Sequence, residues 1–88
     1  MKRPSISKEV RQQIESEWMI KSDWCQVKPI TVFIMNASFR NKEYLCVGVS
    51  RCLPTDEWNP TFGYNTARTR AFRQTQREIY NDFFKERK

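Results

Sequence analysis

The sequence predicts a small α+β fold in the order α-β-β-α, an antiparallel β-hairpin or small sheet packed against two helices. Three observations predict it. Apolar residues recur at helical spacing near both ends. Two segments rich in branched and aromatic residues lie between them. A polar tetrapeptide, Arg40-Asn41-Lys42-Glu43, separates those two segments. A two-stranded ribbon is marginal in water, so the helices must cover it.

Residues 1–5 read as a short basic tail. Ser5 or Ser7 can cap a first helix that runs to about Ser22. Ile6, Val10, Ile14 and Trp18 recur every four residues and form its apolar stripe. Residues 22–28 read as a connector ending at Pro29, with a short third strand near 24–28 as the other reading. Ile30 to Phe39 is the first strand. Tyr44 to Cys52 alternates and is the second, with Leu45, Val47, Val49 and Arg51 expected on the core face. Gly48 permits a bulge or a close helix approach. Leu53 to Gly63 reads as an ordered loop anchored by Trp58 and Phe62. A long helix follows from about Tyr64 to Glu86. Its apolar series is Ala67, Ala71, Thr75, Ile79 and Phe83, joined by Phe72, and residues 86–88 form a frayed basic end. The small residues in its first half let that half lie close to the sheet. The pattern accommodates helices on one face of the ribbon or on both.

The chain has 88 residues, which by size is a single domain. A domain this small has a thin core and a narrow stability margin. Aromatics make up 14% of the residues, a load that argues for a fold and against disorder. No apolar run approaches the roughly 20 residues that cross a bilayer. No apolar stretch follows the basic start, so the reading is a cytoplasmic protein without membrane contact. The three cysteines, at 25, 46 and 52, show no C-x-x-C spacing. Cys46 and Cys52 on one strand would stand about 20 Å apart, beyond disulfide reach. They read as reduced, buried, hydrophobe-like residues.

Histidine is absent. That excludes Ser-His-Asp and Cys-His nucleophile systems, imidazole acid–base chemistry and His-containing zinc sites. Asp56-Glu57 is the one adjacent acidic pair, whereas metal-dependent nucleases converge several carboxylates. Neither a Gly-rich phosphate loop nor a G-x-S-x-G elbow occurs. The sequence therefore reads as non-catalytic, with no metal and no cofactor.

The net charge of +6 is unevenly placed. Residues 63–88 carry seven basic and three acidic groups, and so hold +4 of it. At 100° per residue, Arg70, Arg73 and Arg77 fall within about 60° of one another, opposite the apolar stripe. They form a basic ridge, extended by Lys85, Arg87 and Lys88, that suits phosphates or an acidic protein surface and equally suits a merely solubilising face. Arg68 falls at the centre of the apolar face instead. A guanidinium there needs a partner, and the expectation is an ion pair with Asp56 that ties the loop to the helix. Among the aromatics, Trp24 and Trp58 lie in connectors and are the candidates for exposed contacts with bases or a partner.

The block Gly48-Val49-Ser50-Arg51-Cys52-Leu53-Pro54-Thr55-Asp56-Glu57-Trp58-Asn59, then Gly63, Ala67, Arg70 and Ala71, resembles small uncharacterised proteins encoded in bacteriophage genomes. The likeness spans about 24 residues between positions 48 and 71. It implies an accessory or early phage protein in the host cytoplasm and implies no activity. The element order also invites comparison with double-stranded-RNA-binding domains, which are α-β-β-β-α. Their Lys-rich motif at the start of the last helix is here Gly63-Tyr64-Asn65-Thr66-Ala67-Arg68.

The first functional reading is a non-catalytic protein that binds DNA or RNA phosphates through its last helix. The alternative is a phage accessory protein that docks on an acidic host protein and inhibits or redirects it. A third is a structural or assembly protein that forms a homodimer through a strand edge.

Overall fold

A computed structural model describes residues 6–85. Helix α1 spans Lys8–Glu17, strands β1, β2 and β3 span Met19–Val27, Ile30–Phe39 and Lys42–Arg51, and helix α2 spans Pro60–Phe83. The three strands form one antiparallel sheet in the order β1-β2-β3. The fold class is thus α+β, as the pattern predicts, with one strand more than the minimal reading. The element order α-β-β-β-α is the one named above for double-stranded-RNA-binding domains.

The extra strand corrects the expected end of the first helix. Ser7 does cap α1, its hydroxyl accepting from the Val10 N–H at 3.2 Å. But α1 stops at Glu17, and the expected helical tail and connector form β1. The reason is pairing. β1 runs in register with β2 from Met19 opposite Ser38 to Val27 opposite Ile30. A nine-residue ladder satisfies more backbone groups than a helical overhang followed by a loop would. Lys28-Pro29 makes the connection to β2.

β2 is the central strand, and its residues alternate between the two sides. Thr31, Phe33, Met35, Ala37 and Phe39 are buried. Arg40 and Asn41 make the connection to β3, with φ of 49° and 68°. Positive φ at both central residues is the signature of a type I′ hairpin turn, whose twist matches that of the strands. The turn therefore needs two residues rather than four, and Lys42 and Glu43 belong to β3.

The face of β3 is the reverse of the expected one. Tyr44, Cys46, Gly48 and Ser50 face the helices, whereas Leu45, Val47, Val49 and Arg51 face solvent. Gly48 decides this. A Cβ at Gly48 would collide with the backbone carbonyl of Ala67, so α2 lies directly on the strand at this point. No side chain fits there, and only the Gly48 face of β3 can meet the Ala67–Ala71 stretch of α2. The inward polar groups of that face then find partners on α2. The Tyr44 hydroxyl donates to Asp82 at 2.8 Å and the Cys46 thiol to Glu78 at 3.1 Å.

Both helices lie on one face of the sheet. The core consists of Ile14, Phe33, Met35, Ala37, Phe39, Tyr44, Ala67, Ala71 and Ile79. Trp18 meets Phe72 edge-on at 5.5 Å and closes the core beneath α1. The Glu15 carboxylate accepts from Gln76 at 2.6 Å and joins the helices. Arg40 donates to both carboxylate oxygens of Glu17 at 3.0 Å and lies over the rings of Phe39, Phe83 and Phe84. The hairpin turn is thereby fastened to the ends of both helices.

Gly48→Ala adds a methyl group where α2 touches β3. It should destabilise the fold by about 2 kcal/mol or more, a fall in Tm of roughly 10 °C for a domain of this size, read by circular dichroism. Tyr44 gives a second test. Burial and the Asp82 carboxylate push its hydroxyl well above the ordinary tyrosine range. A proton held more tightly in the folded state stabilises below the unfolded value and is lost as pH rises past it. The stability advantage of the natural chain over Tyr44→Phe should therefore be constant near pH 7–9 and narrow above about pH 10, measured by urea unfolding.

Candidate nucleic-acid interface

α2 starts four residues earlier than the apolar series suggests. Asn59 is its N-cap, accepting from the Phe62 N–H at 3.0 Å, and Pro60 occupies the first turn. A polar cap followed by proline is a helix-start signal that the sequence does carry. The early start corrects the expected loop. Phe62 stands on the helix, 68% exposed, and does not anchor the loop. Trp58 is half-buried and lines one pocket with Cys52 and Gly63. The Cys52 thiol lies 3.6 Å from each of the Leu53, Asp56 and Glu57 carbonyl oxygens, so the loop folds around it.

Gly63, Ala67, Ala71, Thr75 and Ile79 turn to the sheet, which sends the opposite face of α2 into solvent. Arg70, Arg73 and Arg77 are all exposed on that face, as the helical arithmetic predicts. They differ in freedom. Arg70 Nη1 donates to the Val49 carbonyl at 2.6 Å. That bond caps one backbone oxygen on the outer edge of β3 and fixes the guanidinium in place. Arg73 and Arg77 have no ion-pair partner among the described residues. Phe62, Asn65, Thr66, Thr69, Arg70 and Arg73 line a shallow depression of about 330 Å³.

The acidic groups of α2 do not neutralise this ridge. Glu78 accepts from Cys46 and from Gln74, and Asp82 accepts from Tyr44 and pairs with Lys42 at 2.5 Å. Both carboxylates are drawn to β3. Lys85 is exposed just beyond the helix. Arg87 and Lys88 lie outside the described residues.

The expected Arg68–Asp56 ion pair does not form. Arg68 is exposed, and its guanidinium carbon stands 4.2 Å from the Phe72 ring centre. The expected place at the centre of a buried apolar face is corrected as well, because this flank of the helix is not covered. α2 rests mainly on β3 and β2, so the side facing β1 is left open. An arginine there lays its stem over aromatic surface and keeps its charge in water. Trp24, on the same side, is 49% exposed and meets Tyr64 edge-on at 5.1 Å. It is a strand residue, not a connector residue, but its predicted exposure stands. The cysteines divide. Cys46 is buried and Cys52 half-buried, whereas Cys25 is exposed on β1, against expectation.

Among the described residues no group of three His, Cys, Asp or Glu side chains is placed to hold a metal ion. No helix among them is long and apolar enough to cross a membrane.

Neither a family model nor a curated protein matches this chain. Among solved structures, the chain is similar to the crystal structure of Rv2632c, a mycobacterial protein. The TM-score is 0.53 at 21% sequence identity, over 78% of this chain and 92% of that one. At that identity the likeness concerns the fold alone.

Proposed function

We propose that the protein is a non-catalytic nucleic-acid-binding protein that grips phosphates along the outer face of α2. The observation that carries the reading is the pair Arg73 and Arg77, exposed and unpaired among the described residues while the acids of the same helix are engaged with β3. The side chains beside them strengthen it. Asn65, Thr66 and Thr69 are hydroxyl and amide donors of the kind that contact phosphate and sugar. Arg70, braced on the Val49 carbonyl, keeps further guanidinium donors for the same backbone. Phe62 offers an exposed ring at the end of the row, where an unpaired base could stack.

Such a face reads charge and spacing rather than base edges. Arg73 and Arg77 are four residues apart, about 6 Å along the axis, which is near the separation of successive phosphates. Binding is therefore sequence-tolerant and salt-sensitive.

A gel shift with single- and double-stranded DNA and RNA, titrated with salt, tests this. Binding should be clear at about 50 mM salt and weaken log-linearly above it. Arg73→Ala with Arg77→Ala should lower the salt slope by about 2. Absence of binding at low salt, or an unchanged slope in the double variant, overturns the reading.

A further inference from the structure

The sheet face turned away from the helices forms a three-by-five grid. β1 contributes Met19, Lys21, Asp23, Cys25 and Val27. Opposite these in order, β2 places Ser38, Asn36, Ile34, Val32 and Ile30, and β3 places Glu43, Leu45, Val47, Val49 and Arg51. Nine of the fifteen are apolar. Leu45 is 69% exposed, and Ile34, Val47 and Val49 at the centre are between 44% and 46% exposed. Ile30, Val32, Ile34, Leu45, Val47 and Val49 adjoin one another on β2 and β3, and a contiguous exposed apolar patch of this kind marks an interaction surface.

We infer that this face is a self-association surface, on which a second copy of the chain packs sheet against sheet. The charges around the apolar centre indicate both the occupant and the orientation. β3 carries Glu43 at one end of the grid and Arg51 at the other. A two-fold axis lying across the strands, through the Asp23–Ile34–Val47 row, reverses the strand direction. It sets Glu43 against Arg51 of the second copy, and Arg51 against its Glu43. On β1 the same axis sets Asp23 against Asp23 of the second copy, with the Lys21 of each copy one position along the strand from that pair, so the two acids and two amines form one net-neutral cluster. Val47 and Ile34 then meet their own equivalents at the centre, and Leu45 meets Val49. A two-fold axis along the strands does the opposite. It buries Lys21 against Leu45 and leaves Glu43 and Arg51 facing Met19 and Val27, and unpaired buried charges are costly. One orientation thus pairs Glu43 with Arg51 at both ends of β3, gathers Lys21 and Asp23 of both copies at the β1 margin, and buries the apolar rows, as an isologous interface allows. Face-to-face sheets pack about 10 Å apart, a gap that these Val, Ile and Leu side chains fill. This interface uses the open face and leaves both the strand edges and the outer face of α2 free.

Sedimentation equilibrium of the full chain under reducing conditions is the test. The protein should show twice its monomer mass of 10.7 kDa at concentrations of about 10–100 µM. Val47→Lys places two like charges at the axis and should give a monomer with an unchanged circular dichroism spectrum. Glu43→Arg or Arg51→Glu alone should raise the dimer Kd at least about ten-fold, and the double exchange E43R/R51E should restore it. A natural chain that stays monomeric through this range overturns the inference. So does a dimer that persists in the folded Val47→Lys variant, or a double exchange that does not recover association.

Discussion

The structure depends on the contact between Gly48 and the Ala67–Ala71 stretch of α2. Three small residues let a helix and a strand meet at backbone distance. Everything placed on α2 follows from that seat. Because one side of the helix is pressed onto β3, its opposite side must face water, and that side carries the arginines. Because Gly48 must point inward, every other residue of β3 is assigned its face by the period of two. The burial of Tyr44 and Cys46 and the exposure of Leu45, Val47 and Val49 are two results of one steric constraint.

The same contact separates the charges of α2. Glu78 and Asp82 lie on the flank nearest β3, where Cys46, Tyr44 and Lys42 donate to them. Arg73 and Arg77 lie on the flank facing away. A helix with several basic and acidic groups could have neutralised itself through pairs four residues apart. Here the strand takes the acids, and the helix presents a basic field on one side only. Arg70 adds a structural element to that field, since it covers a carbonyl on the free edge of β3 and so occupies one site at which another strand could add.

Two surfaces of opposite character result. One is polar and basic, on the helical layer. The other is apolar, on the bare side of the sheet. They lie on opposite sides of a two-layer fold, so occupation of one does not obstruct the other.

Much of this was legible in the sequence. The Ser7 cap, the branched run at 30–35, and the Ala67, Ala71, Thr75 and Ile79 series determine α1, β2 and α2 through local periodicity. The ridge of Arg70, Arg73 and Arg77 is likewise helical geometry and needs no tertiary information. What local pattern could not decide was β1, whose residues Met19 to Val27 mix charge, polarity and aromatics and become a strand only because β2 is there to pair with. Nor could it decide the inward face of β3. Hydrophobicity points Leu45, Val47 and Val49 to the core, but sterics at Gly48 overrule it, since a backbone collision costs more than three exposed aliphatic side chains. The partnership assigned to Arg68 failed for a related reason. Its angle on the helix was computable, but whether that angle looks at a core or at an open flank depends on where the helix sits over the sheet. By itself, then, the sequence determined which segments have regular periodicity and where charge concentrates along them. The tertiary structure decided which faces are covered, because coverage is set by the closest backbone approach in the fold, a distance between residues far apart in the chain.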